Sequence, residues 1–221
     1  MADTSLPLEH VSVAPEAPTS PSPAVILLHG RGADEQDLLG IAHELPDELH
    51  GLSVRAPTQL GPGYTWYDLD LSGGGLHASQ PDPDDFDASL ELVEDFVTGA
   101  IEAYDIDSQS IGLLGFSQGA ILSLGLLARQ PQAYSWVVGL HGYLPQRYEP
   151  ADLERAADVP VFLGAGTQDQ VIPSTRAEDA ADRLEAAGVD VTFNTYPIGH
   201  GIAPQEFGDV REFLDRVLEP L

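Results

Sequence analysis

Ile111-Gly112-Leu113-Leu114-Gly115-Phe116-Ser117-Gln118-Gly119-Ala120 is the stretch on which the reading of this 221-residue chain turns. Residues 111–115 form a short apolar run of the kind that fills a buried strand, and residues 118–129 continue as an apolar helical pattern. Between them lies Gly115-Phe116-Ser117-Gln118-Gly119, of the form G-x-S-x-G. Glycines on either side let the backbone turn sharply enough to lift a serine hydroxyl at the C-terminal end of the strand. The helix that follows points its positive N-terminus at that hydroxyl. In a chain with 22 Gly, on the order of 0.1 such matches arise by chance. The strand-turn-helix setting is therefore what makes the motif informative.

Outward from this turn, short apolar runs alternate with amphipathic helical patterns. Strands are expected at 10–13, 24–28, 52–56, 111–115, 136–140, 159–163 and 189–196. The clearest helix spans 84–104, with Phe86, Leu90, Val93, Val97 and Ile101 along one face, and a last helix spans 204–218. Such alternation predicts a mostly parallel central sheet with helices on both faces, in a single domain over 1–221. The Pro-rich stretch 14–23 reads as a loop. Segment 58–83 reads as a long structureless connection, and such connections are often functional. A short helix at 151–157 leaves no room for a separate lid domain.

A serine hydroxyl needs a base, and the base needs an orienting acid. In a parallel sheet both should lie just past the C-terminal ends of later strands. Asp169 follows the strand at 159–163, whereas Asp158 would sit at the opposite edge. His200 follows the last strand. His29 and His141 also follow strands; only His200 comes after both Ser117 and Asp169, in the order Ser, acid, His. His29 is read as shaping its loop and His141 as lining the cleft. His10, His43, His50 and His77 are expected to be exposed or paired with nearby acids. An oxyanion hole would use the backbone N–H of Gln118 and, from the loop His29-Gly30-Arg31-Gly32, that of Arg31. Two other readings compete: a metallohydrolase with His29, His141, His200 and Asp169 as ligands, and a non-catalytic binding module.

The motifs Leu28-His29-Gly30-Arg31-Gly32, Trp66-Tyr67-Asp68, Gly115-Phe116-Ser117-Gln118-Gly119 and Gly142-Tyr143-Leu144-Pro145 occur in that order along nearly the whole chain. With Asp169-Gln170-Val171-Ile172-Pro173 and Gly199-His200, they resemble the phospholipase/carboxylesterase family of α/β-hydrolases, which includes the acyl-protein thioesterases. The resemblance implies an α/β-hydrolase fold and a serine carboxylesterase with Ser117, Asp169 and His200 as its triad. It implies no cofactor and no metal, and it admits a homodimer, since relatives often form them. Family members commonly carry Ser where this chain has His141, and many carry His near Ala165-Gly166-Thr167. Segment 58–83 offers apolar walls in Tyr64, Trp66, Tyr67, Leu69, Leu71 and Leu76. Trp66, Tyr67, Leu71 and His141 are the expected substrate-binding residues. A shallow groove of this kind suits small-molecule esters with short- to medium-length acyl chains, or thioesters and lysophospholipids of similar size.

Composition limits the alternatives. No Cys excludes a disulfide framework, a cysteine nucleophile and thiolate metal sites. A net charge of −27 argues against nucleic acid as a partner. The run Asp82, Asp84, Asp85, Asp87 reads as an acidic helix start and lacks the glycine and distal Glu of a calcium loop. Residues 1–10 carry no basic, apolar leader, and the apolar stretch 120–128 is too short to span a bilayer, so the expectation is a soluble cytoplasmic protein without membrane insertion. All nine basic residues are Arg, and Lys is absent. An acidic, Lys-free composition resembles that of proteins from salt-accumulating halophiles. Self-repulsion among so many carboxylates is screened within about 3 Å at 1 M salt, against about 10 Å at 0.1 M. Thermal stability and activity are therefore expected to rise from salt-free buffer toward molar salt; full activity without salt would overturn the halophile reading.

Overall fold

The computed structural model describes residues 6–42 and 45–218, so the expectation for His43 lies outside the described residues. In chain order the elements are β1 (His10–Val13), β2 (Ser22–Leu28), α1 (Leu39–Ala42), β3 (His50–Val54), β4 (Thr58–Leu60) and β5 (Gly63–Thr65). They continue with β6 (Leu69–Asp70), β7 (Gln80–Pro81), α2 (Pro83–Tyr104), β8 (Ile106–Phe116), α3 (Gln118–Arg129) and β9 (Trp136–Leu140). The last are α4 (Pro150–Leu153), β10 (Val161–Gly166), α5 (Ser174–Ala186), β11 (Val191–Tyr196) and α6 (Pro204–Leu218).

Side-chain alternation along the strands builds two apolar layers. In β2, Val25 and Leu27 face one side of the sheet while Ala24, Ile26 and Leu28 face the other, and all five are buried. The second face packs against α2, α3, α4 and α5; the first packs against α1 and α6, through residues such as Val210, Phe213 and Leu214. Seven of the described strands form one sheet in the order β1-β3-β2-β8-β9-β10-β11. Every pair is parallel except β1 with β3. The expected mostly parallel sheet with helices on both faces is what forms, and residues 141–160 add only α4 and a 3-10 turn, Glu154–Ala156, rather than a lid domain.

Local chemistry explains the two helices nearest the site. Asp82 caps α2 by accepting from the N–H groups of Asp84 and Asp85, with Pro83 at the first helical position, so the acidic run is a helix start. Helix α3 is buried at every position from 118 to 128, as a helix that is apolar all round must be. Its start is forced into close quarters. A Cβ at Gly119 would lie 1.9 Å from the Leu28 carbonyl oxygen, and one at Gly115 would lie 2.3 Å from the Gly119 oxygen. Only glycine lets the helix begin against the C-terminal end of β2.

Three expectations need correcting. The strand expected at 159–163 is Val161–Gly166, because pairing with β11 carries it on through Gly166; Asp169 thus sits three residues past the strand end. The connection 58–83 is not structureless. Its backbone polar groups pair in the β4/β5 hairpin and the β6/β7 pair. His50 is neither exposed nor paired with an acid: it is buried, and its Nε2 lies 2.7 Å from Ser12 Oγ. Half-buried His10 contacts the Tyr104 hydroxyl at 2.6 Å, while His77 is exposed. The glycine constraint makes a direct prediction. Gly119→Ala should destabilise the fold by about 3 kcal/mol, the upper end of overpacking costs, because the clash is with backbone. A fall in urea midpoint at constant m would report it.

Candidate active site

The turn between β8 and α3 holds Ser117 at φ 53°, ψ −114°, a conformation that L-residues rarely adopt. Its N–H donates to Leu140 O at 2.8 Å, tying the turn to the end of β9. Ser117 Oγ lies 2.8 Å from His200 Nε2, and His200 Nδ1 lies 2.6 Å from Asp169 Oδ2. Asp169 Oδ1 accepts from the N–H groups of Val171 and Ile172 at 2.8 and 3.0 Å. Burial alone would raise the Asp169 carboxyl, but the His200 contact and these two N–H groups outweigh it and hold the carboxyl below its ordinary value. With Asp169 ionised, His200 Nδ1 carries the proton and Nε2 is left to accept from the Ser117 hydroxyl. The structure thus brings together the three residues singled out by strand order, each just past the C-terminal end of β8, β10 or β11.

The loop after β2 is held by contacts on several sides. Gly32 N–H donates to Tyr64 O at 2.7 Å, and Tyr64 N–H returns to Ala33 O at 2.8 Å. Arg55 forks onto the Glu35 carboxylate at 2.5 and 2.7 Å and pulls that carboxyl down to about 2. His29 is buried; its Nε2 accepts from the Ala56 N–H at 3.1 Å, so Nδ1–H donates to Gly30 O at 2.8 Å. Burial lowers its pKa, in keeping with a neutral, loop-shaping ring. A Cβ at Gly30 would touch Phe116 and Ser117, so this loop lies directly against the turn. Gln118 does more than expected. Beyond its backbone N–H, which the first turn of a helix leaves free, its side chain accepts from Trp66 N–H at 2.9 Å and donates to Tyr67 O at 2.8 Å. That polar stitching of segment 58–83 to the turn was not legible in the sequence.

Beside Ser117 and His200 opens a cavity of about 180 Å³, lined by Arg31 and Gln118 and walled by Tyr67, Leu69, Leu76, Ile121, Tyr143 and Ile172. Of the expected substrate-binding residues, only Tyr67 lines it. Trp66 is buried in the core, with its indole N–H donating to His29 O at 3.0 Å. Leu71 is 50% exposed and stands outside the cavity. His141 does not line the cleft as expected: it lies buried behind Asp169, not in the cavity wall. Ile121, one helical turn after Ser117, was missed although its i+4 spacing puts it on the same face of α3. Tyr143 was visible only as part of a motif.

His141, Asp169 and His200 present ligand atoms all within 4.8 Å of one another. The donors are already committed: both imidazoles contact Asp169 Oδ2 through Nδ1, and His200 Nε2 contacts Ser117. His29 does not belong to this cluster. Among the described residues no helix is long and apolar enough to cross a membrane.

This geometry has counterparts. Residues 9–218 match the model of the Phospholipase/Carboxylesterase family. The chain is 29% identical to an acyl-protein thioesterase 1 of Candida albicans, over 91% of this chain and 94% of that one. It is 32% identical to the acyl-protein thioesterase 1 of Debaryomyces hansenii, over 74% and 72% of the respective chains. Among solved structures, the Bacillus cereus carboxylesterase superposes with a TM-score of 0.82 at 26% identity, covering 96% of this chain and 95% of that one. A match over nearly every described element, with the serine turn at its centre, means that the chain belongs to the phospholipase/carboxylesterase family of α/β-hydrolases and is a serine hydrolase of the carboxylesterase and acyl-protein thioesterase type.

Proposed function

We propose that the protein hydrolyses carboxylic esters of short to medium acyl chain through an acyl-enzyme on Ser117. The observation that carries this reading is the continuous contact from Ser117 Oγ to His200 Nε2 and from His200 Nδ1 to Asp169, beside a small and mostly apolar cavity. Ser117 Oγ attacks the acyl carbon as His200 Nε2 takes its proton. The tetrahedral oxyanion accepts hydrogen bonds from the N–H groups of Gln118 and Arg31, each worth roughly 3 to 4 kcal/mol at the transition state. Collapse expels the alcohol, which receives the proton from His200. A water deprotonated by the same nitrogen then attacks the acyl-enzyme and frees the acid. Asp169 holds the tautomer and offsets the imidazolium charge.

Thioesters and lysophospholipids undergo the same acyl transfer, and the relatives named acyl-protein thioesterases favour including thioesters. The cavity argues about the acyl group: about 180 Å³ is below the 300–1,000 Å³ of typical ligand pockets. The metal-ligand reading would require both imidazoles to leave Asp169. A chelator such as EDTA should leave the rate unchanged, whereas loss of activity would favour the metal.

Two measurements test the proposal in molar salt. Ser117→Ala should lower kcat by roughly four to six orders of magnitude and abolish labelling by a fluorophosphonate, with an unchanged circular dichroism spectrum. Turnover near normal in that variant would sink the mechanism. Ile121→Ala should deepen the cavity and raise kcat/KM for an eight-carbon acyl ester relative to an acetyl ester by about tenfold. An unchanged ratio would mean that the acyl chain lies elsewhere.

A further inference from the structure

Behind the Ser117 array lies a second buried polar layer that the hydrolytic mechanism does not use. His141 Nδ1 is 3.2 Å from Asp169 Oδ2, and its Nε2 is 3.2 Å from Glu206 Oε2. All three side chains are fully shielded from solvent. The backbone makes deliberate room for them. His141 sits at φ 54°, a left-handed conformation, with its N–H donating to Gly164 O at 2.7 Å. A Cβ at Gly164 would lie 2.2 Å from Glu206 Oε1, and one at Gly166 would lie 3.1 Å from His141 Cε1. Gly164 thus admits the Glu206 carboxylate, while a Cβ at Gly166 would meet the Ile198 and Gly199 carbonyls at 2.5 Å before it met the imidazole.

Donor counting sets the protonation state. Asp169 Oδ2 is an acceptor, already receiving His200 Nδ1–H; His141 Nδ1 can face it favourably only by carrying a proton. Glu206 Oε2 accepts from the Ala203 N–H at 3.3 Å, and facing an ionised Glu206, His141 Nε2 also carries a proton. An imidazole protonated at both nitrogens is a cation.

We propose that His141 is a positioning residue for the Ser117–His200–Asp169 array: a buried imidazolium that bridges Asp169 to Glu206 and sets the net charge facing His200. The proposal rests on the serine-hydrolase reading of the same site and adds a part to it. Burial by itself would lower the His141 pKa, but Glu206 and Asp169 together outweigh burial and raise it. The groups facing His141 are Asp169 past the end of β10, Glu206 on α6, and His200 past β11, whose ring centroid lies 5.7 Å away at 90°. The apolar ring of Phe116 at the end of β8 lies at the same 5.7 Å. Beyond Glu206, the Tyr196 phenol is held neutral by burial and bonds Asp209 at 2.7 Å. With His141 charged, Asp169, His141 and Glu206 together carry one negative charge. Without that cation they would carry two, and a second negative charge would face the His200 ring. The imidazolium also gives Asp169 Oδ2 a second contact beside that of His200, which helps to hold the acid in place.

The test is chosen to separate this proposal from the hydrolase reading. In Ser117→Ala protein labelled with ¹³C-histidine, the His141 signal is followed by NMR against pH. It is assigned as the resonance lost in His141→Gln or, should that variant not fold, as the resonance displaced in Glu206→Gln. His141 should still be charged at pH 7.5, where an ordinary imidazole of pKa about 6.5 is mostly neutral; in Glu206→Gln its midpoint should fall. A His141 that is neutral at pH 7.5 overturns the proposal. In protein with Ser117 intact, His141→Gln should move the acidic limb of kcat/KM upward by about one pH unit. The double variant His141→Gln/Glu206→Gln, which removes the added negative charge, should return the limb toward its original position. A scaffold without charge would leave the limb in place in both variants, or move it equally in both, and either result overturns the proposal. Failure of a fluorophosphonate to label Ser117 would instead overturn the hydrolase reading and leave the NMR result intact.

Discussion

The first turn of α3 lies so close to the end of β2 that no side chain fits between them. Gly119 meets the Leu28 carbonyl, and Gly115 meets the carbonyl of Gly119 itself. This contact fixes the angle at which α3 leaves the sheet. It holds Ser117 in a rarely adopted positive-φ conformation above the C-terminal ends of β8 and β9, with the loop after β2 against it. The residues that meet Ser117 are then supplied by topology. Parallel strands end on one side of the sheet, so the segments following β2, β10 and β11 converge there although they are far apart in sequence.

Polar groups around this contact are paired with unusual economy of side chains. The Gln118 amide receives the Trp66 N–H and donates to Tyr67 O; Trp66 donates its indole N–H to His29 O; His29 in turn accepts the Ala56 N–H. Each of these groups is buried, where an unpaired donor or acceptor costs about 1 to 3 kcal/mol. Three separate segments are therefore locked to the serine turn by bonds that none of them could make alone. The cavity wall owes its shape to this stitching as much as to its apolar residues.

Charge is used in two different ways in one molecule. Of the 36 acids, most occupy polar helix faces and loops, where solvent and salt screen them. Asp169 and Glu206 are exceptions, buried on either side of His141. In that shielded setting a carboxylate must have a partner, and the partner must bear protons. Abundance of acid therefore carries no information about the site; burial does.

The sequence by itself determined the strand-helix alternation, the serine turn and the order Ser117, Asp169, His200. Those features rest on short-range pattern: the periods of strands and helices, glycines at a sharp turn, and polar residues just past strand ends. The helix from Pro204 to Leu218 was legible from its apolar stripe, yet nothing in that pattern singled out Glu206 within it. Trp66 and Leu71 looked alike as apolar residues of one connection, while the structure buries the first in the core and leaves the second in solvent. His141 looked like a cleft residue because it follows a strand. Only the tertiary structure decided these points, because burial and partnership depend on which segments meet. Glu206 and His141 are 65 residues apart, and their contact exists only once α6 has packed across the end of β10.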